Sequence, residues 1–179
     1  MKKLVILFYG LIIFAVVFSL LAMPSPALAQ VTVEVDIKPG SCPSSINLKK
    51  KGVTPVAIVG TVDLDFETIN LNSITLEGVS AKAYDIIDTT QPNTSDDPDP
   101  CYNCFAADDP ANFNCDLDGD GINDAYCGDG IMDLILYFPT PDLADALVEP
   151  TECMELTLTG VTSGGDVISG TDYARIKGY

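Results

Sequence analysis

The chain of 179 residues contains no histidine and no tryptophan, and lysine and arginine together number only nine. Without histidine there is no imidazole to act as a general base, and no G-x-S-x-G nucleophile motif occurs, so the sequence argues against an enzyme. A carboxylate pair of the glycosidase type is the remote catalytic alternative that the many acidic residues leave open. The formal net charge of −17 argues against nucleic acid and anionic membrane surfaces as partners.

Residues 1–29 have the organisation of a secretory signal peptide. Two lysines precede an apolar run over residues 4–22, two prolines follow it, and Ala27-Leu28-Ala29 offers a small-x-small cleavage site. An uncleaved membrane anchor is the alternative, because the run is nearly long enough to span a bilayer. Cleavage would leave residues 30–179, one domain by size, with 26 acidic and seven basic residues and a net charge of about −19. We therefore expect a secreted protein that has no membrane contact after cleavage.

Short segments that alternate apolar and polar residues run along much of the remaining chain. Residues 31–37, Val-Thr-Val-Glu-Val-Asp-Ile, have the period of two that is typical of a half-buried strand. The other strand candidates are residues 53–60, 74–76, 81–87, 131–138, 154–159 and 173–177, with a short helix over 142–148. Seven or eight such strands, separated by turn signals, predict an all-β fold, an antiparallel β-sandwich.

Residues 89–130 are rich in Asp, Pro, Asn, Gly and Cys and poor in residues that build a core. We interpret them as a loop insertion that is held by cysteines and metal rather than by packing. A zinc site at Cys101-x-x-Cys104 is disfavoured, because there is no second pair of this kind and no histidine. An even number of cysteines in a secreted chain predicts three disulfides, whose pairing the sequence leaves open. The six are Cys42, Cys101, Cys104, Cys115, Cys127 and Cys153.

The insertion contains the pattern D-x-D-G-D-G-x-x-D over residues 116–124. Calcium takes roughly six to eight oxygen ligands, and alternate aspartates on a tight loop can all point inward, with Gly121 permitting the sharp bend. Cys127 stands where an EF-hand has glutamate, so we predict a related Ca²⁺ loop set between strands. Asp129 could supply the missing carboxylate, and Asp133 ends a partial repeat that leaves a shared site open. The predicted ligands are Asp116, Asp118, Asp120, the Ile122 carbonyl, Asp124, Asp129 and Asp133.

Two groups of motifs flank the insertion. Before it come DIKPGSCP over residues 36–43, SINL over 45–48 and KGV-x-PVAI over 51–58; after it come GDG over 128–130, DLIL-x-F over 133–138 and LTLTG over 156–160. These stretches resemble an uncharacterised β-sandwich accessory module that recurs in secreted bacterial and archaeal proteins. The resemblance implies a secreted sandwich with no known catalytic residues. Many such modules place an Asp/Asn-Gly-Asp-Gly segment directly before the apolar strand, whereas the fuller loop here lies upstream, which leaves open which aspartates carry the metal.

These observations favour a non-catalytic, calcium-binding, disulfide-stabilised structural domain that self-assembles into an extracellular fibre or surface layer. The strand Val31–Ile37, or another sheet edge, would pair with a neighbouring copy, although pairing within its own sheet is the more frequent arrangement. The alternative function is a calcium-dependent adhesion or carbohydrate-binding module, with an extracellular glycan stacked on aromatic rings. Packing beneath the insertion is the competing role for those rings, which are Tyr84, Tyr102, Phe105, Phe113 and Tyr126.

Overall fold

Two β-sheets form the fold of the part of the chain that the computed structural model describes, residues 29–90, 98–102 and 129–179. These residues contain ten strands and one α-helix, so the predicted all-β sandwich is confirmed, with more strands than the seven or eight expected. The predicted signal peptide lies outside the described residues apart from Ala29. Within those ranges, no helix combines the length and the apolarity needed to cross a membrane.

The first sheet is built around its longest strand, β10, Val167–Lys177. Strand β9, Cys153–Val161, pairs antiparallel with β10 along its whole length. Beyond β9 lie β5, Thr75–Leu76, and β6, Val79–Ser80, in antiparallel pairing. Along the other edge of β10 lie β1, Gln30–Thr32, and β3, Ser45–Asn47, and both run parallel to it. These two short parallel pairings depart from the purely antiparallel sandwich that the sequence predicts.

The second sheet contains four antiparallel strands. Their order is β2, Val35–Ile37; β4, Val53–Ile58; β8, Asp133–Pro139; and β7, Ala83–Ile87. Helix α1, Thr140–Ala146, follows β8, and Pro141 lies in its first turn, where a missing N–H removes no helical hydrogen bond. Short 3-10 turns occupy Phe66–Thr68, Leu71–Ser73 and Pro100–Tyr102.

The segment Val31–Ile37, predicted as one strand, is divided between the two sheets. Its first part lies in β1 beside β10 and its second part lies in β2 beside β4. At the crossing the Val33 N–H donates to the Ser169 carbonyl at 3.0 Å, and the Glu34 carbonyl accepts the Val59 N–H at 3.0 Å. A Cβ at Gly170 would lie 2.4 Å from the Val33 carbonyl oxygen, so the crossing needs glycine there. An alternating pattern fits a strand in either sheet, and therefore it does not reveal the break.

The hydrophobic core lies between the sheets and takes alternate residues from each long strand. Central strand β8 contributes its inward row and β9 faces it from the first sheet. The largest fully buried side chains are Phe138, Ile37, Ile46, Ile58, Ile74, Leu76, Leu134, Leu136, Leu143, Leu156, Leu158 and Ile168. Each large apolar side chain removed from water contributes roughly 1.5–3 kcal/mol, so the burial of these side chains is the main interaction that joins the two sheets.

The carboxylate of Asp172 closes the free edge of β2. Its Oδ2 accepts the Ile37 N–H at 2.7 Å, and its Oδ1 accepts the Tyr173 N–H at 2.7 Å. The backbone N–H of Lys38 donates to the Pro55 carbonyl on β4, so the N–H of the preceding residue, Ile37, points away from β4. Without Asp172 this N–H would be an unpaired donor at the sheet edge. Burial raises the pKa of Asp172 to about 6, against the opposing effect of these two N–H donors.

The raised pKa of Asp172 makes the stability of the domain dependent on pH. A carboxyl whose pKa rises on folding, here from 3.8 to about 6, favours the folded state when it is protonated. Its contribution is complete below pH 3.8 and is lost as the pH rises through about 6; two pKa units correspond to roughly 3 kcal/mol. We expect Asp172→Asn to remove this pH-dependent contribution, so that the difference in unfolding free energy between about pH 4 and about pH 8 becomes smaller than in wild type. An unchanged difference in the variant would refute the raised pKa of Asp172 as its source.

Candidate metal centre at the β7–β8 connection

Strands β7 and β8 are antiparallel neighbours whose connection runs from Asp88 to Met132. The pairing of Ile87 with Asp133 brings the two ends of this connection together. The predicted insertion, residues 89–130, lies within it, and the structure describes residues 88–90, 98–102 and 129–132 of the connection. We call the two ends of this connection, residues 88–90 and 129–133, the base of the region in which the calcium loop is predicted.

Asp133 ties this base to the sheet. It is the first residue of β8 and only 1 % exposed. Its Oδ1 accepts the Gly60 N–H at 2.8 Å, and its Oδ2 accepts the N–H groups of Thr89 and Thr90 at 2.8 and 2.9 Å. Gly60 follows β4 and the threonines follow β7, so a single carboxylate links the ends of both strands that flank β8. At Gly60 itself, a Cβ would lie 2.0 Å from the Met132 carbonyl oxygen, so only glycine fits.

The ionisation of Asp133 reflects this position. Burial raises its pKa, the three N–H donors hold it down, and the nearby carboxyl of Asp88 raises it again. Desolvation and a like charge both disfavour the ionised carboxylate. A cation close to Asp88 and Asp133 would oppose both effects, since it favours the charged form of each group.

Asp88 is the residue at this base that sequence reasoning missed. Its Oδ2 accepts the Gly130 N–H at 2.8 Å, which joins the start of the connection to its end. Its Oδ1 is buried and has no hydrogen-bond partner in the described part of the chain. A buried carboxylate oxygen without a donor carries a desolvation cost that a bound ligand would relieve. Asp88 lies outside the D-x-D-G pattern, and the one signal for it was its place between a strand and the insertion.

The outer face of the second sheet is also covered next to this base. Asp36, Ala57 and Ile135 form one cross-strand row on that face, and all three are buried. The Thr90 hydroxyl donates to Oδ2 of Asp36 at 2.7 Å. The chain that leaves β7 is therefore fastened to β2 as well as to β4 and β8, and the beginning of the connection has a fixed path.

The predicted calcium ligands divide into two groups. Asp129 and Asp133 lie at the base: Asp129 is exposed and its Oδ1 accepts the Ile131 N–H at 2.9 Å, while Asp133 accepts the three N–H groups described above. In residues 29–90, 98–102 and 129–179, no group of three or more acidic or cysteine side chains is close enough to hold a metal ion. The metal ligand set stays a prediction. The remaining predicted ligands, Asp116, Asp118, Asp120, Ile122 and Asp124, lie outside the described residues.

Three of the six cysteines lie in the described residues, and all three form disulfides. Cys101 pairs with Cys153, which joins the middle of the connection to the start of β9. Cys42 is disulfide-bonded as well. These findings agree with the prediction that the cysteines are oxidised. Cys104, Cys115 and Cys127 lie outside the described residues, so the total of three disulfides stays a prediction.

Arg175 reinforces the contact that this disulfide makes. Its guanidinium lies 5.2 Å from the centre of the Tyr102 ring, donates to the Tyr102 hydroxyl at 2.5 Å, and forms an ion pair with Glu152. The residue next to Cys101 is thus held against β10 while the cysteine is held against β9. Tyr102, one of the candidate sugar-stacking rings, is already occupied by this cation–π contact.

Comparison of the chain with protein-family models, with curated proteins and with solved structures found no match. The resemblance to a secreted accessory module therefore rests on the motifs in the sequence.

Proposed function

We propose that this protein is a secreted, non-catalytic, calcium-binding structural domain, stabilised by disulfides, that self-assembles outside the cell. The buried Oδ1 of Asp88 carries the calcium part of the proposal, because it needs a partner at the base of the connection that holds the Asp116–Asp124 pattern. An ion bound there would take its other oxygens from that pattern and from Asp129. Its charge would also offset part of the acid excess that opposes assembly.

Calcium is expected to raise the thermal stability of the protein. A ligand that binds only the folded state stabilises it by about 2.7 kcal/mol at a hundredfold excess over Kd. For a domain of this size that corresponds to an increase of roughly 5–10 °C in Tm. The measurement is calorimetry of the secreted protein in Ca²⁺ and in chelator, together with elemental analysis of the bound metal. Protein with no bound ion and an identical Tm in both buffers would overturn the calcium proposal.

Two asparagine variants separate a specific site from general charge screening. Asp88→Asn should weaken the apparent affinity for Ca²⁺ by about tenfold, as for loss of one direct or supporting oxygen at a metal site. Asp85→Asn is the matched control, since Asp85 is exposed on β7, the strand that precedes Asp88, and its carboxylate accepts a hydrogen bond from the Tyr137 hydroxyl at 3.0 Å. Both variants change the net charge by one. Equal titration curves for the two variants would show that Ca²⁺ acts as a counterion only.

The assembly part of the proposal has a structural constraint. Both halves of Val31–Ile37 pair within the chain, and the free edge of β2 is closed by Asp172. In the described residues β1 is the outermost strand of its sheet, so its outer edge could pair with a second copy without breaking these contacts, whereas pairing at the β2 edge would require the Asp172 contact to open. Electron microscopy of the secreted protein, with Ca²⁺ and with chelator, tests for filaments or sheets. Monomers under every condition would refute self-assembly.

A calcium-dependent carbohydrate-binding module is the second candidate. Tyr84 is 52 % exposed on β7 and lines a cleft with Asn72 and Lys82, an arrangement of a ring beside polar groups that suits a sugar. In the described residues no strand pairs with the outer edge of β7. A glycan array probed with wild type and with Tyr84→Ala tests this function; binding that disappears in the variant would support it.

A further inference from the structure

Five lysines form one corner of the domain, which we name the lysine corner: Lys38, Lys49, Lys50, Lys51 and Lys177. The Lys177 carbonyl accepts the Leu48 N–H, and Lys177 pairs in register with Asn47 on β3. Lys38 donates to the Ser45 carbonyl at 2.8 Å, also on β3. Burial and the nearby charge of Lys177 lower the pKa of Lys38, as expected where cations are crowded together.

Among the described residues, no carboxylate forms an ion pair with the lysine corner. In the described part of the chain, ion pairs occur at Lys82 with Asp142 and at Arg175 with Glu152, and none involves these five lysines. The protein has 26 acidic residues, so a group of five cations that pairs with no described carboxylate marks a surface that can accept an anionic partner. A small cleft at the corner is lined by Lys38, Lys50 and residues of β3 and β4.

The opposite end of the domain is acidic. Asp166 directly precedes β10 and Lys177 ends it, so at about 3.3 Å per residue these charges are roughly 35 Å apart. Asp166 lines a cleft with Asp63 and Asp65, which we name the acidic cleft. Among the described residues no lysine or arginine pairs with these three carboxylates. The two surfaces thus have opposite charge and lie at opposite ends of the longest strand.

We propose that the lysine corner docks onto the acidic cleft of a second copy, so that copies join head to tail along the β10 direction. This inference rests on the proposed self-assembly and names its contact. A heterologous contact between different patches does not close on itself unless the rotation forms a ring, and it therefore generates filaments. The charge complementarity favours another copy over an unrelated polyanion, because the same chain carries both surfaces and their separation suits a linear array.

The test compares two variants with the same change in charge. Lys50→Glu reverses one charge in the lysine corner, and Lys82→Glu reverses one charge outside it; both residues are exposed. The ion pair of Lys82 with Asp142 that the control loses is long and exposed, so its loss should matter little. We expect Lys50→Glu to lower the association constant by about tenfold or more, measured by light scattering at low salt, with a smaller effect for Lys82→Glu. Wild-type assemblies should also dissociate as the salt concentration rises. Equal effects of the two variants would overturn the head-to-tail contact.

Mixing reversed surfaces gives the sharpest result. A variant with Asp63→Lys and Asp65→Lys and a variant with Lys49→Glu and Lys50→Glu should each fail to assemble alone, and an equimolar mixture should form filaments again. A mixture that stays monomeric, while wild type assembles, would refute this contact and leave self-assembly intact. Wild type that stays monomeric but binds an immobilised anionic polysaccharide through Lys50 would refute both proposals and assign the corner to an external polyanion.

Discussion

Replacing Asp133 with alanine is expected to lower the free energy of unfolding by about 3 kcal/mol. The change leaves the N–H groups of Gly60, Thr89 and Thr90 without their acceptor in a buried site, and each buried donor without a partner costs roughly 1–3 kcal/mol. The sum is reduced because the buried charge, whose desolvation raises the pKa of Asp133, is removed at the same time. Urea denaturation followed by circular dichroism measures the loss.

Two further variants test the reason for this effect. Asp129→Ala removes one local acceptor at an exposed position of the same connection, and should change stability by less than about 0.5 kcal/mol. Asp133→Asn keeps the volume and one acceptor oxygen, and should fall between wild type and Asp133→Ala. If Asp133→Ala is as stable as Asp129→Ala, the carboxylate does not hold the strand ends together. A fall in Ca²⁺ affinity in Asp133→Ala would in addition show that the hydrogen bonds of the Asp133 carboxylate support the predicted metal loop.

The core strands could be predicted from the sequence because their burial imposes a pattern. Residues 53–60, 131–138 and 154–159 overlap β4, β8 and β9, and the residues that each strand contributes to the core between the sheets recur at every second position. Strand β10 was predicted only over 173–177 and begins at Val167. Its first half contains Ser169, Gly170 and Thr171, which have no strong strand signal, and it is held there by pairing with β1 and β9. Tertiary pairing, not local preference, determines that half.

The candidate site divides in the same way between local and distant signals. The Asp116–Asp124 pattern is local, so its chemistry could be inferred from spacing alone. The base depends on Asp36, Asp88 and Asp133, which come from β2 and from the adjoining ends of β7 and β8. Thr90 links Asp36 to Asp133 by hydrogen bonds, which is possible only because these strands share a sheet. The lysine corner is also non-local, since Lys38 and Lys177 are brought together by β3 and β10. Composition gave the acid excess of the chain but not the separation of its charges into two ends.

Loss of the Cys101–Cys153 disulfide is expected to cost up to about 4 kcal/mol of unfolding free energy. The bond closes a loop of 52 residues, and removing it returns that loop-closure entropy to the unfolded chain. Other disulfides within the same loop would reduce the effect, because they already restrict the unfolded chain. The double variant Cys101→Ala/Cys153→Ala and wild type are compared by urea denaturation followed by circular dichroism.

The two single variants provide the control for this disulfide. Each of Cys101→Ala and Cys153→Ala loses the same bond, so both should match the double variant within about 0.5 kcal/mol if the cross-link, rather than one side chain, is responsible. A large loss in Cys101→Ala alone would instead indicate the packing of that buried residue, which is 4 % exposed. We also expect the double variant to need more Ca²⁺ for the same rise in Tm. The disulfide holds residues 101–102 against β9 and β10, and it therefore restricts the β7–β8 connection before the ion binds. An unchanged Ca²⁺ requirement would show that the loop and this fastening fold independently.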